Sequence, residues 1–134
     1  MAPDHDEAAA LRKIGEVAAA TELSIKTIRH YDEVGLVQPS ARSAGGFRLY
    51  TPDDVDRLLT IRRMKPLGFS LEEMGAILQA IAVLSVDDAS DAERVEARDV
   101  VQSYRSRVSE STLRLRTHLA YAEELAERLD DIAR

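Results

Sequence analysis

The stretch Ser24-Ile25-Lys26-Thr27-Ile28-Arg29-His30-Tyr31-Asp32-Glu33-Val34-Gly35-Leu36 decides the fold. Ser24 suits the N-cap of a short helix, and Gly35 suits the C′ position that ends it. Ile25, Ile28 and Tyr31 form the apolar side of that helix, so Lys26, Thr27, Arg29 and His30 turn outward together. A helix entering the major groove of DNA needs donors near its N-terminal end to reach base edges. Arg29 can take both acceptors on a guanine edge, and Thr27 can meet a thymine methyl or a phosphate. Just upstream, Ile14, Val17, Ala18 and Leu23 repeat at helical spacing, with a break near Thr21–Ser24. Two short helices joined by a turn of a few residues make a helix-turn-helix pattern. A charged helix face is also what any solvated helix presents, so the flanking segments carry the rest of the weight.

Downstream the helical period stops. Gln38-Pro39-Ser40-Ala41-Arg42-Ser43-Ala44-Gly45-Gly46-Phe47-Arg48-Leu49-Tyr50 has a Gly-Gly turn signal, and Phe47 and Leu49 alternate with Arg48 and Tyr50. This reads as a small hairpin with Pro39 near its open end. Arg42 and Arg48 on such a ribbon suit phosphate contacts or minor-groove insertion, as in a basic wing beside a helix-turn-helix. Thr51-Pro52-Asp53-Asp54 then opens a helix with a Thr cap, Pro at N1 and acids in the first turn. It carries Val55, Leu58, Leu59 and Ile61 and ends at Lys65-Pro66-Leu67-Gly68, with Arg57, Arg62, Arg63 and Lys65 as further cations. Those near its C-terminus serve phosphates or the helix dipole equally well. Ser70-Leu71-Glu72-Glu73 is a capping box for another helix through Met74, Ile77, Leu78 and Ile81.

Residues 85–91 read as a linker, and residues 92–134 as one long helix, since neither Pro nor Gly occurs there. About 40 residues make a straight helix of roughly 60 Å. A heptad seam runs through Val101, Tyr104, Val108, Ser111, Leu115, His118, Ala122, Leu125, Leu129 and Ile132, with Ser111 and His118 as weak members and Leu119 competing. So long a stripe finds too little surface on so small a domain, and a second copy of the same helix is its natural partner. The dimerisation residues expected are Val101, Tyr104, Val108, Leu115, Leu119, Ala122, Leu125 and Leu129. The organisation expected is therefore a flexible tail over 1–12, a DNA-binding domain over 13–84, the linker, and the dimerisation helix.

Composition bounds this reading. The net charge of −6 over 134 residues argues at first against a nucleic-acid partner. Its distribution reverses that: residues 11–69 carry ten Lys/Arg against seven Asp/Glu, while residues 70–134 carry eight Arg against fourteen acids. Tyr31, Phe47, Tyr50 and Phe69, four of the six aromatics, share the basic stretch. No apolar run is long enough for a membrane helix, and the acidic start of the chain has no apolar signal core, so a cytoplasmic protein is expected. Cysteine is absent, which removes disulfides, thiolate nucleophiles and Cys-based metal sites. His5, His30 and His118 lie far apart without ligand partners at helical spacing, so no metal or other cofactor is expected. No nucleophile elbow, Walker loop or dinucleotide fingerprint is present. The acid pairs Asp53-Asp54, Asp87-Asp88 and Asp130-Asp131 read as solvated surface, as do Asp32 and Glu33, and no enzyme is expected.

Taken together, the sequence resembles the MerR family of transcription regulators. The resemblance runs over roughly residues 13–80, through Ile14-Gly15-Glu16-Val17-Ala18, Ser24 to Leu36, Pro39, Arg42, Gly46-Phe47-Arg48-Leu49-Tyr50, Thr51-Pro52-Asp53-Asp54-Val55, Arg62-Arg63-Met64 and Leu67 to Met74. It implies a mainly α fold: a winged helix-turn-helix DNA-binding domain with a small β-hairpin wing, then a long helix that dimerises as an antiparallel coiled coil. By the same resemblance, Thr27, Arg29 and Tyr31 fall on recognition-helix positions, beside Lys26 and His30 of the outward face. Arg42, Arg48 and Tyr50 fall on wing positions that touch DNA backbone, and Arg63 falls on a second, helical wing. Members bind a pseudo-palindromic promoter as a homodimer and distort an overlong spacer, so that RNA polymerase, an indirect partner, can engage both promoter elements. Metal- and redox-sensing members use cysteines that this chain lacks, which leaves an unknown small-molecule effector, a protein partner or none. Three departures stand out: Glu22 where Gly is frequent in the helix-turn-helix turn, Phe47 where Tyr is usual, and Pro66 inside what is often a longer helix. A Glu at positive φ is strained, so a different turn is expected at Glu22. Rival readings are an architectural or excisionase-like DNA-bending protein and a protein-interaction module that never activates transcription.

Overall fold

The computed structural model describes residues 10–134. The acidic start of the chain, with His5 and most of the expected tail, lies outside the described residues. The elements follow in order: α1 Ile14–Thr21, α2 Ile25–Glu33, β1 Ala41–Arg42, β2 Arg48–Leu49, α3 Pro52–Met64, a 3-10 turn Lys65–Leu67, α4 Leu71–Ser85 and α5 Asp91–Ala133. The chain divides into two compact units, one running through Leu78 and one from Gln79 to Arg134.

In the first unit, α1 packs on both α2 and α3. Val17, Ile28, Leu58 and Ile61 are fully buried, and Leu23, Tyr31, Val37, Met64, Phe69 and Met74 extend the same core. Each such side chain contributes about 1.5–3 kcal/mol relative to an exposed one. The ends of the elements are held by local bonds. Ser24 Oγ accepts from Thr27 N at 3.0 Å and so caps α2. At the other end Gly35 N donates to Asp32 O and Leu36 N to Tyr31 O, with Gly35 at φ +76°. This double bond pattern around a left-handed residue closes the last turn. Thr51 and Asp54 form a reciprocal capping box on α3, Ser70 and Glu73 on α4, and Ser90 and Glu93 on α5.

The hairpin is short. Ala41 faces Leu49 and Arg42 faces Arg48 in antiparallel register. Its loop, Ala44-Gly45-Gly46, closes through Gly46 N to Ser43 O and Ser43 N to Phe47 O. Gly46 has φ +81°, the left-handed residue that a three-residue hairpin loop requires.

Two features depart from the sequence expectations. Arg12, assigned to the tail, bridges Tyr50 through both backbone bonds, at 3.0 and 2.8 Å. Glu22 does take the left-handed conformation, φ +60° and ψ 21°, so the turn is the one that usually favours Gly and the Glu tolerates it. The end of α3 is as expected: the helix stops at Met64, the chain tightens into the 3-10 turn through Pro66, and Gly68 ends it at φ +79°.

The second unit is dominated by α5. Its 43 residues give a length of about 65 Å. Ala97 and Ser111 are its buried positions, and beyond Thr112 every residue is exposed. No helix among the described residues is long and apolar enough to cross a membrane.

Candidate nucleic-acid interface

The outward face of α2 is as the spacing demands. Ile28 and Tyr31 are buried, while Lys26, Arg29 and His30 are exposed and Thr27 is half-buried. Ser24 Oγ donates to Thr27 Oγ1 at 2.8 Å, which leaves the Thr27 hydroxyl proton free to turn outward. Lys26, Thr27 and His30 border an open cleft of about 560 Å³ whose other walls are Tyr31, Lys65, Phe69, Leu71 and Met74. The cleft brings Lys65, from the 3-10 turn, to the same side as the outward face of α2.

Tyr31 and Tyr50, expected among the DNA-facing residues, sit deeper than the others. Each is only 3 % exposed and belongs to the core. Tyr31 seats α2, with the His30 ring tilted 6.0 Å from it. Tyr50 anchors the hairpin by its bridge to Arg12. The Tyr50 hydroxyl is held above the usual phenol value, by burial first and then by the Asp32 carboxylate; Asp54 pushes the same way, while Arg48 and Arg29 pull against it. Burial alone raises Tyr31.

The wing arginines differ from each other. Arg42 is exposed, and its guanidinium meets the Gly46 carbonyl at 3.2 Å. Arg48 is instead bound twice to Asp32 of α2, Nη1 to Oδ2 and Nη2 to Oδ1, both at 2.9 Å. Asp32 is therefore no solvent-facing acid; its side chain is 20 % exposed. The paired geometry is the strong form of an Arg–carboxylate contact, and it clamps the hairpin to α2. Phe47, at the wing tip, is 72 % exposed.

Two further contacts, invisible in the sequence, fix the frame. Asp54 is fully buried, again not the solvated acid expected. Its Oδ2 accepts from Ser40 N at 3.0 Å, Ser40 Oγ at 2.7 Å and Thr51 N at 2.9 Å, so the root of the wing is tied to the start of α3. Its Oδ1 has no hydrogen bond, and Arg57 stands 3.7 Å from it. Arg62 donates to Thr21 O at 2.7 Å and lies 3.8 Å from Glu22. It thus holds the helix-turn-helix turn rather than a phosphate. Arg63 is exposed near the end of α3 and shares no bond with α2 among the described residues. The structure joins Lys26, Thr27, Arg29, His30, Arg42 and Arg48 through one framework and leaves Arg63 as a separate cation.

On α5, Val108, Leu115, Leu119, Leu125 and Leu129 are all exposed, with Ala122 beside them. Val101 and Tyr104 are half-buried, and Arg107 lies over the Tyr104 ring at 5.5 Å. Leu113 and Tyr121 are exposed off that stripe. Among the described residues no group of three or more His, Asp or Glu could hold a metal ion.

Comparison with known proteins agrees with this geometry. The chain is 46 % identical over 65 residues to an HTH-type transcriptional regulator of Pseudomonas aeruginosa, a match covering 48 % of this chain and 49 % of that one. The chain thus spans about half the length of that relative. It is 40 % identical over 102 residues to the HTH-type transcriptional regulator CueR of Vibrio cholerae, covering 75 % of this chain and 70 % of CueR. The fold matches the crystal structure of a MerR-family transcriptional regulator from Bacillus thuringiensis, with a TM-score of 0.69 and 19 % identity over 88 % of this chain and 98 % of that one. Residues 12–81 match the MerR HTH family regulatory proteins, and with the CueR likeness this places the chain in that family.

Proposed function

We propose that the protein binds duplex promoter DNA as a homodimer, with α2 in the major groove and the hairpin on the adjoining backbone, and regulates transcription from that site. The observation that carries this reading is the outward face of α2. Lys26, Arg29 and His30 stand exposed there; of the two acids of this helix, Asp32 is engaged by Arg48, and Glu33 is exposed on the same face with no ion pair to Arg29 among the described residues. Cations left unpaired on a helix of this placement suit base edges and phosphates. In this reading Arg29 and Thr27 contact bases, Lys26 and His30 contact bases or adjoining phosphates, and Arg42 and Arg63 contact phosphates. Two copies joined along α5 read two half-sites, so the operator is pseudo-palindromic. Regulation works through the shape of the spacer between promoter elements, and polymerase is affected through that shape. The protein acts by binding rather than by catalysis, and in the cytoplasm where promoter DNA lies.

The test is selection of duplexes from a random-sequence pool, followed by footprinting of the selected site. A pseudo-palindrome should emerge, bound far more tightly than scrambled DNA. Arg29→Ala should cost about 1–3 kcal/mol on that site and relax preference at one base pair per half-site. Recovery of no common sequence, with every duplex bound in the non-specific range, would sink this reading.

A further inference from the structure

Arg29 and Asp32 lie three residues apart on α2, a spacing at which opposite charges on a helix normally find each other. Here they do not. Both carboxylate oxygens of Asp32 are taken by Arg48 at 2.9 Å, and Arg29 is exposed without an ion pair among the described residues. The hairpin adds a reason for the arrangement. Arg48 stands directly across from Arg42, and like charges at paired positions destabilise a ribbon. Asp32 supplies the missing counter-charge, and Arg42 is left with only a neutral carbonyl as partner.

We infer that Asp32 is a specificity-determining residue: by holding Arg48 it docks the wing on the recognition helix and withholds its own carboxylate from Arg29, which stays available to base edges. Arg48 is then a strut, and the phosphate neutralisation of the wing falls to Arg42. This rests on the DNA-binding reading above and adds a coupling to it. A change in the wing, which touches no base, alters base discrimination, because a released Asp32 turns to Arg29.

The experiment compares the full-length wild type with Arg48→Ala and with Arg48→Ala combined with Asp32→Asn. The probes are the duplex selected by the wild type and a scrambled duplex, each titrated over a range of salt. Arg48→Ala should lower the selected-to-scrambled ratio about tenfold, in line with loss of one good base contact. Its salt slope should stay within about one of the wild type, since no phosphate contact is lost. The double variant should recover most of the ratio, because the freed acid is gone. An equal loss on both duplexes, with a slope shallower by about two per dimer, would mean that Arg48 contacts phosphate and would overturn the inference. So would a double variant no better than Arg48→Ala. A second readout needs no DNA. The Arg29 Nε–H resonance should move between the wild type and Arg48→Ala and return towards its wild-type position in the double variant. If the wild type selects no sequence, the DNA reading fails on its own, and this resonance still reports whether Arg48 keeps Asp32 from Arg29.

Discussion

Glu22 shows how a single residue can be out of agreement with its backbone and still be kept in place. It holds φ +60° between two packed helices, and Arg62 reaches from α3 to the carbonyl just before it. A side chain with a Cβ in that region costs about 1–2 kcal/mol. The nearby charge contact does little to offset this, because the Glu22 side chain is 85 % exposed and 3.8 Å from Arg62. Glu22→Gly should therefore raise stability by about 0.5–1 kcal/mol, the strain relieved less the extra chain entropy glycine loses on folding. Thermal unfolding should shift upward by a few degrees, whereas Glu22→Ala, which keeps the Cβ, should not move it. A fall in midpoint with Gly would mean that the Glu22 side chain does more than the geometry shows. The sequence placed a turn here correctly, but expected it to avoid positive φ. Local preference was overruled by the packing on both sides, which no window of neighbouring residues contains.

The same division runs through the elements. The caps of α2, α3 and α4 were legible because each is a bond across three or four residues: Ser24 to Thr27, Thr51 to Asp54, Ser70 to Glu73. The wing's attachments were not, because they join residues far apart in the chain. Asp32 meets Arg48 across sixteen positions and Ser40 meets Asp54 across fourteen, so both acids read as surface until the hairpin is laid against the helices. Tyr31 and Tyr50 lie deeper than their sequence positions suggest for a related reason; a tyrosine at the edge of an amphipathic face faces core or groove according to what packs over it. The Asp54 contacts carry a prediction of their own. Asp54→Ala would strand the amides of Ser40 and Thr51, both now bonded to one buried carboxylate oxygen. Charge-assisted bonds of this kind are worth about 1.5–3 kcal/mol, and stranded partners add to the cost. A loss of about 3 kcal/mol is expected in the urea midpoint at unchanged slope. Hydrogen exchange of the hairpin amides should accelerate. Asp53→Ala, one residue earlier and exposed, should cost only tenths of a kcal/mol. Equal costs for the two would refute the assignment of Asp54 as the wing's root.

At the scale of the whole molecule, the proposed dimer would make the exposed stripe on α5 a link between stability and recognition. Leu115, Leu119, Leu125 and Leu129 are each more than half exposed in the single chain, spaced so that one face of the helix carries them all. Burying such side chains against a second copy contributes about 1.5–3 kcal/mol for each fully covered one, enough in sum to hold two chains together. Pairing also converts the second DNA half-site into a nearby target, which raises overall affinity without any new DNA contact. Leu119→Glu puts a charge in the middle of the stripe. It should halve the mass seen by analytical ultracentrifugation and weaken operator binding by about a hundredfold, while α2 and the wing remain folded. Thr117→Glu places the same charge on the opposite side of the helix, where its neighbours are exposed, and should leave mass and affinity unchanged. The two variants separate loss of the stripe from a general effect of added charge. If Leu119→Glu stays dimeric, the chains meet elsewhere and the heptad reading of α5 is wrong. If it becomes monomeric yet binds the operator undiminished, one winged helix suffices, and the dimer serves something other than half-site reading.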